Sequence, residues 1–152
     1  METDLATSTL TYAFQPVYNS GMRDGEIDPH SERAALERAA EAGDADAMYN
    51  LGVLVSNDDP EGARRWYERA ADAGHPPAMN NLATLILKDD PVKARRLYER
   101  SAEAGNPVAM VNLGVLHRRS GDPGTARALF ERAAALGDRH AKRLLRWRWI
   151  LR

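Results

Sequence analysis

A six-residue string recurs in this chain as AMYNLG at 47–52, AMNNLA at 78–83 and AMVNLG at 109–114, each copy 31 residues after the last. A second string travels with it: ARRWYERAADAG from Ala63, ARRLYERSAEAG from Ala94, ARALFERAAALG from Ala126 and a degraded ERAALERAAEAG from Glu32. Gly43, Gly74, Gly105 and Gly137 mark one point of the unit at intervals of 31, 31 and 32 residues. No other feature constrains the fold as much. Each copy is a supersecondary unit too small to bury its own apolar face, so successive copies must stack.

The punctuation within the unit is helical. Asp28-Pro29, Asp59-Pro60, Asp90-Pro91 and Asp122-Pro123 each place a side-chain acceptor at an N-cap and a proline at the first helical position, where its missing N–H is not needed. The four glycines stand where a left-handed residue closes a helix, and His75-Pro76 and Asn106-Pro107 open the next one. These signals predict B-type helices over 29–42, 60–73, 91–104 and 123–136, and A-type helices over 45–57, 76–88, 107–119 and 139–151. The apolar stripes Ala63, Trp66, Tyr67, Ala70, Ala71 and Leu51, Leu54, Val55 carry the 3.6-residue period of amphipathic helices.

The Asn-Leu-Gly string, followed by an alanine-rich helix with WYERAA and a closing Ala-Gly, resembles the Sel1-like repeat (SLR), a subclass of the tetratricopeptide superfamily. The resemblance covers roughly residues 28–146. It departs from the family in a unit about five residues shorter than usual, and in a last A-type helix, RHAKRLLRW, that lacks Asn-Leu-Gly. The resemblance implies an all-α, right-handed superhelical solenoid of about four helix hairpins, eight helices in all. It also implies a scaffold or adaptor that holds a partner protein or peptide on its concave surface and performs no catalysis. The solenoid is expected over 28–152, after an N-terminal extension, extended or partly disordered, over 1–27.

On a wheel centred on Leu51, Leu54 and Val55, the residues Tyr49, Val53 and Ser56 point away from the core. Their repeat equivalents are Asn80, Thr84 and Leu87, then Val111, Val115 and Arg118. Apolar groups at Val53, Leu87, Val111 and Val115 on such a face predict an accessible partner-binding surface. Asn50, Asn81 and Asn112 lie at its border, about 100° from the stripe's centre. Asparagine is a mediocre helix former, so each implies a compensating hydrogen bond. Two readings stand: the amides join adjoining repeats, or they form a ladder that grips an extended peptide. The candidate contact set is Tyr49, Asn50, Val53, Asn80, Asn81, Thr84, Leu87, Val111, Asn112, Val115 and Arg118.

Other chemistries find little footing. His30, His75, His117 and His140 fall at unrelated points of the repeat, no cofactor motif is present, and neither a metal site nor an enzyme is expected. The chain has no cysteine, which excludes disulfides. No apolar run reaches the length of a membrane span and METDLATSTL is no signal peptide, so the expected location is the cytoplasm. With 18 arginines to three lysines and abundant alanine, the composition points to a bacterium. Charge is unevenly spread, with 15 acidic and six basic side chains in residues 1–76 against seven acidic and 15 basic in 77–152. That split suggests the alternative of self-assembly through oppositely charged ends, making a homo-oligomer, and a regulatory subunit of an enzyme complex is a separate alternative. Nucleic acid is not an expected partner despite the basic RHAKRLLRWRWILR terminus, because the whole chain is slightly acidic. Finally, Leu10, Tyr12 and Phe14 alternate with Thr11 and Ala13, and Pro16 follows, so LTYAFQPVYNSG is expected to lie extended, as a cap over the first helix pair or in the groove.

Overall fold

The structure is a computed structural model and describes residues 29–146. They form an all-α chain of eight helices: α1 (Pro29–Glu41), α2 (Ala45–Val55), α3 (Pro60–Asp72), α4 (Pro76–Ile86), α5 (Pro91–Glu103), α6 (Pro107–Arg119), α7 (Pro123–Ala135) and α8 (Arg139–Arg146). B-type and A-type helices alternate as expected, and no strand occurs among the described residues. The expectations for residues 1–27, for the cap at Asp28 and for the last helix beyond Arg146 lie outside the described residues. The chain packs as two compact units, Met1–Leu82 and Ala83–Arg152, with the border inside α4.

One turn design is copied from repeat to repeat. Gly74 (φ +87°) closes α3 with its N–H on the Ala71 carbonyl, while the His75 N–H reaches the Ala70 carbonyl, both at 3.0 Å. This paired closure needs a left-handed residue that only glycine adopts at no steric cost. The same pair of bonds ends α1, α5 and α7 at Gly43, Gly105 and Gly137. The next residue then caps the A-type helix. Asp44 accepts from the N–H groups of Asp46 and Ala47, and Asn106 from those of Val108 and Ala109. The B-type helices start as the Asp-Pro pairs require, with Asp59, Asp90 and Asp122 accepting from the N–H groups of Gly62, Lys93 and Thr125.

The single extra residue in the third repeat has a visible consequence. The helices α2 and α4 have 11 residues each and end in a tight Asp-Asp turn, in which the Val55 or Ile86 carbonyl accepts from both aspartate N–H groups. By contrast α6 has 13 residues, runs on to Arg119, and closes through Gly121 (φ +84°) before Asp122 opens α7. The His117 Nδ1 lies 3.2 Å from an Asp122 carboxylate oxygen across that longer turn.

In unit one the core is Ala40, Ala47, Met48, Tyr49, Leu51, Ala63, Tyr67, Ala70 and Ala71 with the first half of α4. The Arg69 guanidinium stacks on Trp66, 4.6 Å from the ring centroid, and donates to the Ala40 carbonyl at 3.2 Å, tying α3 to the end of α1. Unit two is built on Ile86, Leu97, Tyr98, Leu113, Leu129 and Phe130. Exposed ion pairs run along the B-type helices at Arg33–Glu37, Arg64–Glu68 and Arg127–Glu131, each at i, i+4. Such exposed pairs contribute about 0.3–0.5 kcal/mol each.

One stripe assignment needs correction. Leu51 is buried as expected, but Leu54 is 52% exposed and Val55 only half-buried. The buried face of α2 is instead Ala47, Met48, Tyr49, Leu51 and Gly52. It is rotated towards Gly52, a position that carries no apolar side chain and so is invisible in a hydrophobic stripe.

Candidate functional site

Each A-type helix meets its B-type partner through one small residue. A Cβ built on Gly52 would stand 2.5 Å from Cε1 of Tyr67, and one on Gly114 would stand 2.6 Å from Cε1 of Phe130. The aromatic ring of the B-type helix therefore occupies the space that a side chain on the A-type helix would fill. In the middle repeat the matching residues are Ala83 and Tyr98, both fully buried. This contact explains the last letter of the recurring string, and its only sequence signal is the Gly/Ala/Gly series at 52, 83 and 114.

Because the rings are buried, their hydroxyls need partners, and the two tyrosines find them differently. The Tyr98 hydroxyl lies 2.9 Å from Thr84 Oγ1; burial pushes its pKa up to about 12, with the threonine contact opposing the rise. At the same repeat position as Thr84 stand Val53 and Val115, which cannot bond a hydroxyl. Tyr67 is served instead by the next A-type helix. Asn81, 1% exposed, stands by the hydroxyls of both Tyr67 and Tyr49, whose pKa values burial raises and the Asn81 amide partly restrains. This contact is looser than strict hydrogen-bond geometry at the Asn81 nitrogen, whereas the Asn81 carbonyl oxygen accepts from Asn80 Nδ2 at 3.2 Å.

Around Tyr49 the packing is continuous. Its ring centroid is 5.9 Å from that of Tyr67 and 4.8 Å from that of His75. His75 caps α4, accepting from the Ala78 N–H through Nδ1 at 3.1 Å, and its Nε2 donates to Asp46 at 2.9 Å. Burial lowers the His75 pKa, and Asp46 and Asp44 oppose that shift. His75-Pro76 opens the helix as the sequence implies, and the structure adds that the ring nitrogen is the acceptor, in the place that Asp44 and Asn106 take in the neighbouring repeats.

The expected contact set thus divides by accessibility. Tyr49, Asn80, Asn81, Val111, Asn112 and Val115 are buried, which corrects the expectation that their face is open. In α6 all seven residues from Ala109 to Val115 are buried, two full turns, so no side of the helix is open there. For Tyr49 the cause is its packing on Tyr67 and His75. Val53, Thr84 and Leu87 are half-buried, while Asn50 and Arg118 are exposed. The three asparagines accordingly do not share an environment: Asn81 joins repeats within unit one, and Asn50 faces outward. Among the described residues no cluster of three metal-ligating side chains occurs, and no helix is long and apolar enough to cross a membrane.

Comparison with known proteins agrees with this geometry. The Sel1 repeat family matches residues 45–75, and the tetratricopeptide repeat family matches residues 89–141. A crystal structure of a Sel1 repeat protein from Oxalobacter formigenes is similar at 30% identity with a TM-score of 0.63, covering 74% of this chain and 96% of that one. A protective antigen present in uropathogenic Escherichia coli strains, displaying an SLR fold, is similar at 28% identity with a TM-score of 0.68, covering 75% of this chain but only 27% of that longer one. Comparison with curated proteins gives no match. With its paired helices, small-residue contacts and copied turns, this chain belongs to the Sel1-repeat proteins of the tetratricopeptide superfamily.

Proposed function

We propose that this chain is a non-enzymatic scaffold of the bacterial cytoplasm that binds a partner protein or peptide through its A-type helices. Repeat families of this kind generally mediate protein–protein interaction, and their members are typically non-catalytic. Membership of the family is the observation that carries the proposal. The residues that remain accessible at matching repeat positions are Val53 and Thr84, then Ser56, Leu87 and Arg118. Two of these are apolar, two carry hydroxyls and one is a cation, a mixture suited to a peptide with both backbone and side-chain contacts.

The test is quantitative capture of partners by the full chain and by a Val53→Asp/Leu87→Asp variant. Capture should fall at least tenfold while circular dichroism and melting stay near those of the parent. Unchanged capture by a folded variant would remove these residues from the interface. The charge split between the halves favours a second reading, self-association through unlike ends. It requires association at low salt, seen by sedimentation, that disappears near 0.5 M salt, where screening shortens the electrostatic reach to roughly 4 Å.

A further inference from the structure

One stripe of the B-type helices is filled differently in α5 than in its neighbours. In α3 it reads Glu61, Gly62, Arg65, Arg69 and Asp72, in α7 Gly124, Thr125, Ala128, Arg132 and Ala135, and in α5 Val92, Lys93, Arg96, Arg100 and Glu103, all five exposed. Both arginines of α3 are engaged by their own unit: Arg65 reaches Asp59 at 3.7 Å, and Arg69 stacks on Trp66 while donating to the Ala40 carbonyl. Neither device operates in α5, where Leu97 replaces the tryptophan and Asp90 caps the helix without pairing with Arg96. The i, i+4 pair that the other three B-type helices share is also missing, so Arg95 is unpaired as well. Among the described residues the side chains of Lys93, Arg96 and Arg100 have neither an ion pair nor a hydrogen bond.

Helix stability does not account for this row. Lys93 stands in the first turn of α5, where the helix dipole disfavours a cation. Beside it Val92 is 63% exposed, the most exposed large apolar side chain among the described residues. We propose that this face of α5 is a second docking surface, which takes an acidic segment of a partner protein with carboxylates on Lys93, Arg96 and Arg100 and an apolar residue on Val92. It uses none of the residues named for partner binding above and does not rest on that reading.

The occupant follows from the length and chemistry of the row. Spacing of i, i+3 and i+7 sets the three cations along one helix face over about 10 Å. Glu103 closes the row there. That suits a short acidic segment and is too short for a nucleic-acid backbone, whose binding draws on about six to ten phosphate contacts. A second copy is a poorer match although unit one is acidic, because its carboxylates are engaged or scattered. Asp44 and Asp59 cap helices, Asp46 holds His75, and Glu37 and Glu68 pair with arginines. No helix of unit one keeps more than two carboxylates outside such contacts.

Fluorescence anisotropy tests the proposal with a short labelled peptide of glutamates flanking one leucine, and with the same peptide carrying glutamine for glutamate. The acidic peptide should bind the full chain at low salt, and the glutamine peptide should not. Lys93→Gln/Arg96→Gln/Arg100→Gln should weaken binding at least tenfold with circular dichroism unchanged, since all three side chains are exposed, and Val92→Asp should weaken it several-fold. Arg119→Gln/Arg132→Gln/Arg139→Gln removes equal charge elsewhere in unit two and should change binding less than twofold. Equal losses from the two triple variants would overturn the proposal, reducing it to general attraction by positive charge. So would no binding of the acidic peptide, or tighter binding of an oligouridine. Self-association at low salt that the α5 variant abolishes would overturn it too, making the occupant a second copy.

Discussion

The helices α2 and α6 carry nearly the same string, AMYNLG and AMVNLG, yet meet opposite surroundings. In α2 the asparagine faces outward and Leu54 is 52% exposed, whereas α6 is buried on every side from Ala109 to Val115. What they share is the contact that defines the repeat, glycine beneath an aromatic ring. Identical motif letters therefore specify the bond within a hairpin. How much of the remaining helix surface is covered depends on what packs beside it, and four predictions test that division.

The largest effect should come from charge placed in the closed helix. Val111→Asp with Val115→Asp should destabilise the chain by at least about 4 kcal/mol, because both positions are buried and each carboxylate would have to be desolvated. Val53→Asp at the matching position of α2 should lose less than about 1 kcal/mol, since that residue is half-buried at a helix edge. Equal losses in urea denaturation would erase the contrast between the two helices.

Next come the glycines, where two effects compete. Alanine in a helix interior is favoured over glycine by about 1 kcal/mol. Against this, a Cβ at Gly52 or Gly114 would press on the Tyr67 or Phe130 ring at 2.5 or 2.6 Å, and overpacking of this kind costs about 1–3 kcal/mol. Gly52→Ala and Gly114→Ala should therefore each be net destabilising, by similar amounts, since the contact is what both hairpins share. A gain in melting temperature at either site would show that the ring moves aside without penalty.

A smaller difference should separate the asparagines. Asn81→Ala should cost about 1–2 kcal/mol, because it leaves the buried hydroxyls of Tyr49 and Tyr67 short of a polar neighbour. The same change at Asn50 should cost less, and the difference is read from paired denaturation curves. Equal losses would mean that the buried place of Asn81 adds nothing to what the exposed Asn50 contributes.

The smallest effect concerns His75, which caps α4 through its ring nitrogen. Its pKa in the folded chain lies below the ordinary 6.5, so folding favours the neutral ring. Its contribution is complete above pH 6.5 and is lost as pH falls through the folded pKa, when protonation of Nδ1 removes the acceptor for the Ala78 N–H. The loss should be about 1 kcal/mol, the usual worth of an N-cap. His75→Asn, which copies the cap used at Asn106, should flatten this part of the pH profile. An unchanged slope would assign it to other groups.

By itself the sequence determined the helices, their caps and their count, because these rest on bonds between residues a few positions apart. Asp59 reaches the Gly62 N–H and Gly74 turns the chain wherever the hairpin sits, so Asp-Pro and Ala-Gly can be read directly. It also carried the fold family in its period. The orientation of each helix was not legible. A stripe drawn through Leu51, Leu54 and Val55 weighs only side chains that are present, while the true contact is centred on Gly52, where the absence of a side chain admits the Tyr67 ring. Nor could one asparagine be told from another. Asn50 and Asn81 both follow Ala-Met-x and precede leucine, and only the tertiary structure set Asn81 beside two buried hydroxyls while leaving Asn50 exposed, because burial is a property of what lies across the helix.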